Sequence, residues 1–239
     1  MLDRAFWDEY MRLYDRGVGG LKPYRDLLDQ LVNARALPAH ARVLDAGCGT
    51  GNLILKLCEK NPDIEMMYGF ERDPLATEMA RTKCRDLRVQ IHEADLNESE
   101  WIYGMDAVDA VYSCNVVYAL QRPDVFLLNV SKILKPSGFF IATNAYQPFP
   151  ERVFEAHDRW LTSSATEADR VRDDVVYAGP RVRIREMNQQ IAAQAKDSAL
   201  NFWGQEEWYE ALVRARMRPI NFLDDAYEGV NTFIVAQPL

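Results

Sequence analysis

The chain has 239 residues, 48% of them hydrophobic and 27% charged, which is the composition of an ordinary globular protein. Its 28 lysines and arginines are outnumbered by 36 aspartates and glutamates, and a net charge of −8 disfavours nucleic-acid binding, because phosphate contacts need clustered cations. The apolar stretches are too short to span a membrane and the start lacks a signal-peptide pattern, so we expect one α/β domain in the cytoplasm.

The first 40 residues predict a helix with one aromatic face. The large side chains at helical spacing are Phe6, Trp7, Tyr10, Met11 and Tyr14. Such a face is typical of a helix that packs on a protein core, which is the role expected for Phe6 and Trp7. For Tyr14 the spacing leaves two roles open, packing on the core or contact with a ligand.

Residues 43–52, Val-Leu-Asp-Ala-Gly-Cys-Gly-Thr-Gly-Asn, are the most informative segment of the chain. The apolar start predicts the end of a buried strand, which Asp45 follows, and glycines then stand at positions 47, 49 and 51. The next residues have a helical apolar pattern that Asn61-Pro62 would end. Because glycine has no Cβ, this turn allows the backbone to approach a bound ligand closely.

Two other glycine motifs do not fit this segment. A nicotinamide or flavin site usually has the pattern G-x-G-x-x-G, which would require a glycine where Asn52 stands. A phosphate-binding P-loop ends in Gly-Lys-Ser/Thr, and no lysine is placed to serve here. The segment is therefore predicted to bind a ligand other than a dinucleotide or a nucleoside triphosphate.

Acidic residues follow the next two predicted strands as well. Further strands are predicted at residues 64–70, 89–92, 107–113 and 139–145, with helices beginning at Pro74 and covering residues 123–134. Glu71 ends the second strand 20 residues after Gly51, where a doubly wound fold places an acid against ribose hydroxyls. Asp95 follows the third strand. Three acids thus end three successive strands.

The glycine segment resembles motif I of the class I S-adenosylmethionine-dependent methyltransferases, acidic-x-Gly-x-Gly-x-Gly. The phrase Leu-Lys-Pro-x-Gly at residues 134–138 is a second feature of the same family. The resemblance implies an α/β fold with a seven-stranded, doubly wound, mostly parallel Rossmann-like sheet. Residues 1–40 would form an N-terminal helical cap, residues 41–146 and 204–239 the cofactor-binding core, and residues 147–203 a substrate lid insertion.

The C-terminal part of the core is predicted to close the sheet with a hairpin. Residues 205–217 read as a helix and residues 220–239 as two strands joined by a turn at Glu228-Gly229. Because a connection this short can join only antiparallel strands, the last strand, residues 231–236, should run against its neighbours.

The resemblance also implies the cofactor, S-adenosylmethionine, with S-adenosylhomocysteine as product. In the family, Glu71 would meet the ribose hydroxyls, Asp95 the adenine amino group, and Tyr14, followed by Asp15, would close over the cofactor. The predicted cofactor-binding residues are Tyr14, Asp45, Gly47, Cys48, Gly49, Gly51, Asn52, Glu71, Arg72, Asp95, Leu96 and Asn115.

The methyl acceptor is expected to be a small molecule. The fourth strand ends in Ser-Cys-Asn-Val-Val, and it lacks the Asn/Asp-Pro-Pro-Tyr/Phe phrase of enzymes that methylate nucleic-acid amino groups. A general base is needed only if the acceptor must lose a proton early. Tyr118, Tyr146 and His157 are candidates by position alone, because no motif marks them.

Residues 181–185, Arg-Val-Arg-Ile-Arg, alternate strictly and are predicted as a strand with three guanidinium groups on one face. That face would suit an anionic substrate or would simply face water.

The four cysteines and three histidines show no spacing typical of a disulfide framework or a metal site. Two other interpretations of the same fold remain open. One is a non-catalytic cofactor-binding subunit. The other is an aminopropyl transferase, although the end of the fourth strand is neutral where a polyamine would need acids.

Overall fold

The fold is built on a single seven-stranded sheet with the strand order β3-β2-β1-β4-β5-β7-β6. It comes from a computed structural model, which describes residues 4–146, 151–195 and 200–239. The strands are β1 (Arg42–Ala46), β2 (Met66–Glu71), β3 (Val89–Glu93), β4 (Val108–Cys114), β5 (Leu134–Ala145), β6 (Met217–Asp225) and β7 (Asn231–Pro238). β7 runs antiparallel to both β5 and β6, and the other pairings are parallel. The predicted seven-stranded architecture and its antiparallel last strand are confirmed.

Helices cover both faces of the sheet. They are α1 (Arg4–Gly17), α2 (Lys22–Asn33), α3 (Asn52–Lys60), α4 (Pro74–Lys83), α5 (Pro123–Ile133), α6 (Arg152–Ser163), α7 (Glu167–Arg172), α8 (Ala178–Ala195) and α9 (Gln205–Arg214). A π-helical turn, Asp173–Tyr177, joins α7 to α8. Among the described residues, no helix combines the length and apolar character needed to cross a membrane.

Strand alternation places successive residues of the sheet in two different buried clusters. Val43 belongs to the cluster shared with α2 and α3, whereas Leu44 belongs to the cluster shared with α5 and α9. Both side chains are completely buried. Successive side chains of a strand point to opposite faces, so a sheet covered on both sides is largely apolar along its central strands.

The order of the strands determines where a ligand can bind. β1 lies between β2 and β4, so the chain connections diverge in opposite directions from the β1–β4 pair. In open α/β sheets this divergence leaves a crevice outside the carboxyl ends of the strands. Asp45 and Glu71 therefore come to the same edge of the sheet as Cys114, the last residue of β4.

Most differences from the predicted elements are shifts of a few residues. β5 begins at Leu134 because that residue pairs with Val108 before a register shift, whereas the strand was predicted to begin at Phe139. The helix α9 ends at Arg214, before the predicted end, because Met217 begins β6. The Asp73 side chain accepts from the Ala76 N–H and caps α4, consistent with the Asp-Pro pattern.

The predicted strand at residues 181–185 is wrong. These residues lie in α8, and their arginines bind acids of neighbouring segments instead of forming one basic face. Arg183 pairs with Glu9 at 2.8 Å, and Arg181 and Arg185 pair with Asp173 and Glu151. Five alternating residues are too short a pattern to overcome the helical preference of arginine and the tertiary ion pairs around it.

Candidate active site

A cavity of about 520 Å³ lies at the carboxyl ends of the strands, beneath α1 and α8. Its lining comes from distant parts of the chain: the glycine turn, the ends of β2 and β4, the helices α1, α2, α3, α6 and α8, and the β6–β7 connection. The lining divides into two chemically different regions. We call them the acidic half and the aromatic half, and each is defined below by its residues.

The acidic half contains Asp45, Glu71 and Asp95, which lie at or just after the carboxyl ends of three adjacent strands. Asp45 is 1% exposed, and its Oδ1 has no hydrogen-bond partner among the described residues. Burial, together with the nearby Glu71 carboxylate, raises the pKa of Asp45 to about 8. A cationic group of a ligand placed beside this carboxyl would pair with the free oxygen. The positive charge would lower the pKa of Asp45 and favour its ionised form.

Glu71 shapes the loop that contains the glycines. Its carboxylate accepts from the Gly49 N–H at 3.0 Å and from the Arg72 and Asp73 N–H groups at 2.8 Å each. An ionised carboxylate has about four acceptor positions, so these three bonds leave capacity for a ligand hydroxyl. Asp95 accepts from the backbone and the amide side chain of Asn97 at 2.9 and 2.8 Å, which fixes its orientation.

The glycine turn leaves an open space beside its backbone. Gly47 has φ +82°, and a Cβ there would lie 2.3 Å from Val116 Cγ2, so no other residue fits unless Val116, which follows β4, moves away. Gly49 has φ +52° and lines the cavity, and a Cβ there would meet nothing within 4 Å. The space at Gly49 is therefore available to a ligand.

The aromatic half is formed mainly by tyrosines. Its residues are Trp7, Tyr10, Met11, Tyr14, Tyr24, Tyr118, Phe154 and Tyr227, with Cys114 at the end of β4. Burial raises the pKa values of the phenols, to about 12 for Tyr118, and it raises that of the Cys114 thiol. These hydroxyls stay protonated near neutral pH, so they can donate hydrogen bonds but cannot act as bases there.

The helices α1 and α8 form a roof over the aromatic half. Inside the cavity, the Tyr10 hydroxyl donates to Asn188 Oδ1 at 3.0 Å. At the outer surface, Arg183 binds both carboxylate oxygens of Glu9, at 2.8 and 3.0 Å. Because these two contacts join the same two helices on different sides, α1 and α8 are held to each other as one unit.

Asp15 fastens this roof to the glycine turn. Its carboxylate accepts from Thr50 Oγ1 at 2.5 Å and from Asn52 Nδ2 at 3.1 Å, and it pairs with Lys83 at 2.7 Å. Lys83 also donates to Asn52 Oδ1 at 2.8 Å. We call these four residues the Asp15 clasp. It joins the N-terminal helix to the loop that is predicted to hold the cofactor.

The structure brings most of the predicted cofactor-binding residues to the cavity. Those that line it are Tyr14, Asp45, Gly47, Cys48, Gly49, Asn52, Glu71, Arg72, Asp95, Leu96 and Asn115. Gly51 does not line it, because Gly51 is the N-cap residue of α3 and a Cβ there would lie against the Cys84 thiol. Trp7, which was expected to pack on the core, also contributes to the cavity wall.

Two of the three candidates for a general base lie outside the cavity lining. His157 Nδ1 accepts from the Lys22 N–H at 3.0 Å, and its Nε2 lies 2.9 Å from Asp173. These partners fix a neutral ring, and burial lowers its pKa. Tyr146 donates to the Gly229 carbonyl. Tyr118 does line the cavity.

Sequence reasoning missed several residues that line the cavity outside the acidic half. Tyr24, Phe154, Asn188 and Tyr227 belong to no motif, and nothing in their local sequence marks them. Tyr10 was identified only as part of the aromatic face of the first helix. Residues 147–150 and 196–199 of the predicted lid insertion lie outside the described residues. Within the described part of the chain, no group of side chains is arranged to hold a metal ion.

Comparison with known proteins gives the same family. A methyltransferase domain family matches residues 37–216 of the chain. A carboxy-S-adenosyl-L-methionine synthase of Campylobacter curvus is 28% identical over 141 residues, which cover 57% of this chain and 59% of that protein. A ribosomal protein L11 methyltransferase of Paraburkholderia phytofirmans is 30% identical over 128 residues, which cover 51% of this chain and 38% of that protein.

A solved structure extends the similarity to the whole fold. A methyltransferase in complex with the Trm112 methyltransferase activator of Haloferax volcanii superposes with a TM-score of 0.64, at 15% identity and over 100% of both chains. The chain therefore belongs to the class I S-adenosylmethionine-dependent methyltransferases, and S-adenosylmethionine is its cofactor.

Proposed function

We propose that this methyltransferase transfers the methyl group to a small, mainly apolar molecule bound in the aromatic half of the cavity. The observation that carries the proposal is the lining of one cavity, which combines three acids at the ends of β1, β2 and β3 with a group of aromatic side chains from other elements. The acidic half suits a cationic cofactor, and the aromatic half suits an apolar acceptor beside it.

The acidic half would hold the cofactor with groups that the turn already orients. Asp45 would face the amino group, Glu71 the ribose hydroxyls and Asp95 the adenine edge, while Gly49 admits the ligand against the backbone. Bound S-adenosylmethionine supplies a methyl group activated by its sulfonium. The protein's contribution is to align the acceptor with that methyl group and to exclude water, and alignment of this kind lowers a barrier substantially.

The charges of the lining support an acceptor without a negative charge. Among the described residues that line the cavity, Arg72 has the only cationic side chain, and it belongs to the acidic half. Arg181, Arg183 and Arg185 do not line the cavity, and each pairs with a carboxylate elsewhere. In the described part of the chain, the aromatic half therefore has no guanidinium group to bind a phosphate or carboxylate of the acceptor.

The roof supports a small acceptor rather than a protein side chain presented by a large partner. The hydrogen bond between Tyr10 and Asn188 joins α1 to α8 over the aromatic half, so the two helices would cover an acceptor bound there. Closure of this kind excludes water from the reacting groups.

The test uses methyl-labelled S-adenosylmethionine with two fractions of a cell extract, one of small molecules and one of macromolecules. We expect label to appear in the small-molecule fraction and to be lost with Glu71→Ala. Label that appears only in the macromolecular fraction would contradict the proposal and would show that the acceptor is a protein or a nucleic acid. Cofactor binding without transfer to either fraction would support a non-catalytic binding role.

A further inference from the structure

The connection between β6 and β7 has an unusual backbone. Tyr227 has φ +54° and ψ +56°, and Glu228 has φ +60° and ψ +32°, so two successive residues other than glycine are left-handed. This conformation costs about 1–2 kcal/mol per residue, because Cβ approaches the following carbonyl oxygen. A bulky side chain there persists only where its surroundings hold it, and such positions concentrate at functional sites.

Two residues from outside the connection hold it in place. The carbonyl of Gly229 accepts from Arg152 Nη1 at 3.2 Å and from the Tyr146 hydroxyl. The Tyr146 N–H donates to the Val230 carbonyl at 3.2 Å. The end of β5 and the start of α6 thus fix the left-handed turn, and this gives Tyr146 a role away from the cavity.

The left-handed turn directs one side chain inward and the next outward. Tyr227 lines the cavity, whereas Glu228 is exposed and Gly229 follows with φ +68°. The Tyr227 phenol lies near Tyr24 and Cys114, and its burial raises its pKa, so the hydroxyl is a hydrogen-bond donor at neutral pH.

The position of Tyr227 relative to the sheet separates it from the predicted cofactor-binding acids. The three acids lie at or just after the ends of β1, β2 and β3, whereas Tyr227 precedes β7, on the other side of β4. Asn231, the first residue of β7, donates to Asn115 Oδ1 at 2.7 Å and to Thr143 Oγ1 at 2.9 Å. The connection is therefore tied to the residue that follows Cys114 at the end of β4.

We propose that Tyr227 is a specificity-determining residue for the methyl acceptor, and that its hydroxyl donates a hydrogen bond to a polar atom of that molecule. This inference rests on the proposed function, because it assumes that the acceptor occupies the aromatic half. It also predicts that the acceptor carries an oxygen or nitrogen with a free lone pair on the side of the cavity that faces β7.

Three variants test this role. Tyr227→Phe removes only the hydroxyl, and Tyr227→Leu also removes the ring. Glu228→Gly is the matched control, because it relaxes the neighbouring left-handed residue without changing the cavity lining. Each variant is measured for its thermal midpoint, its affinity for S-adenosylmethionine by calorimetry, and the labelled products it forms from the small-molecule fraction of the extract.

We expect Tyr227→Phe to lower transfer about tenfold at subsaturating acceptor, the effect of one lost hydrogen bond, with cofactor affinity unchanged. Tyr227→Leu should also change the pattern of labelled products, which a purely structural role would not do. Glu228→Gly should keep the wild-type rate and product pattern. Wild-type transfer and products in Tyr227→Phe, or a parallel loss of cofactor affinity, would overturn the inference while leaving the proposed function intact. If the wild-type protein labels no small molecule, the proposed function fails and this inference fails with it.

Discussion

Gly17 of α1 lies so close to Ile184 of α8 that a Cβ at residue 17 would be 2.3 Å from Ile184 Cγ1. The contact joins the two helices of the roof beside their ion pair between Glu9 and Arg183. Ile184 is completely buried, so its side chain cannot move aside into solvent. The roof therefore depends on the absence of a side chain at one position of the N-terminal helix.

Gly17→Ala should separate α1 from α8 and destabilise the protein by about 1–3 kcal/mol, the usual cost of overpacking a tight contact. Thermal unfolding measures the change. Gly179→Ala is the matched control, because a Cβ there meets nothing within 4 Å. The control should be neutral or stabilising by about 0.5–1 kcal/mol, since alanine favours a helix more than glycine. Equal midpoints for the two variants would contradict the tight contact.

Asp15→Ala should open the Asp15 clasp and loosen α1 from the glycine turn. The lost hydrogen bonds involve a charged group that is 29% exposed, so we expect a loss of about 1.5–3 kcal/mol in the free energy of unfolding. Denaturant unfolding of Asp15→Ala, Lys83→Ala and the double variant gives the coupling between the two charges. Asp26→Ala, which removes an exposed ion pair with Lys22, should cost about 0–1 kcal/mol. A coupling near zero would show that the Asp15–Lys83 ion pair does not stabilise the clasp, and a loss in Asp15→Ala no larger than that in Asp26→Ala would show that the clasp does not hold the helix.

Glu71→Ala should weaken S-adenosylmethionine binding by about 1–3 kcal/mol, because ligand hydroxyls and the loop N–H groups lose their acceptor. Calorimetric titration measures the affinity. Glu93→Ala is the matched control, since Glu93 pairs with Glu71 in the register of β2 and β3 but does not line the cavity. Unchanged affinity in Glu71→Ala would refute the assignment of this carboxylate to the cofactor.

Asp45 should make the protein without cofactor less stable as the pH rises from about 4 to about 8. Burial raises its pKa from 3.8 to about 8. Between these values the folded state holds a proton that the unfolded state has released, so stability falls as pH increases. Unfolding of wild type and Asp45→Asn at pH 5 and pH 8.5 measures this, and the wild type should lose more stability than the variant.

The same carboxyl should release a proton when S-adenosylmethionine binds, because the cofactor's cationic amino group favours the ionised form. Calorimetry in buffers of different ionisation enthalpy measures the released protons, and Asp45→Asn corrects for ionisation of the cofactor itself. Equal proton release in wild type and variant would contradict the placement of Asp45 beside the amino group.

The glycine turn and the acids after the strands could be predicted because their signals are local in the chain. Asp45, Gly47 and Gly49 lie within five residues, and their role follows from backbone geometry at one strand-to-helix turn. Glu71 and Asp95 follow from the rule that parallel strands bring their carboxyl ends to one edge. The sequence by itself therefore determined the fold class and the acidic half of the cavity.

Only the tertiary structure decided the aromatic half and its roof. Tyr10 and Asn188 are 178 positions apart, and Glu9 and Arg183 are 174 apart, so no local pattern could indicate that they meet. Tyr227 enters the cavity through a left-handed turn that Tyr146 and Arg152 impose from other elements. The proposed cofactor site depends on backbone geometry near the glycine turn. The proposed acceptor site depends on side chains that packing brings together from distant parts of the chain, and no local sequence pattern records such contacts.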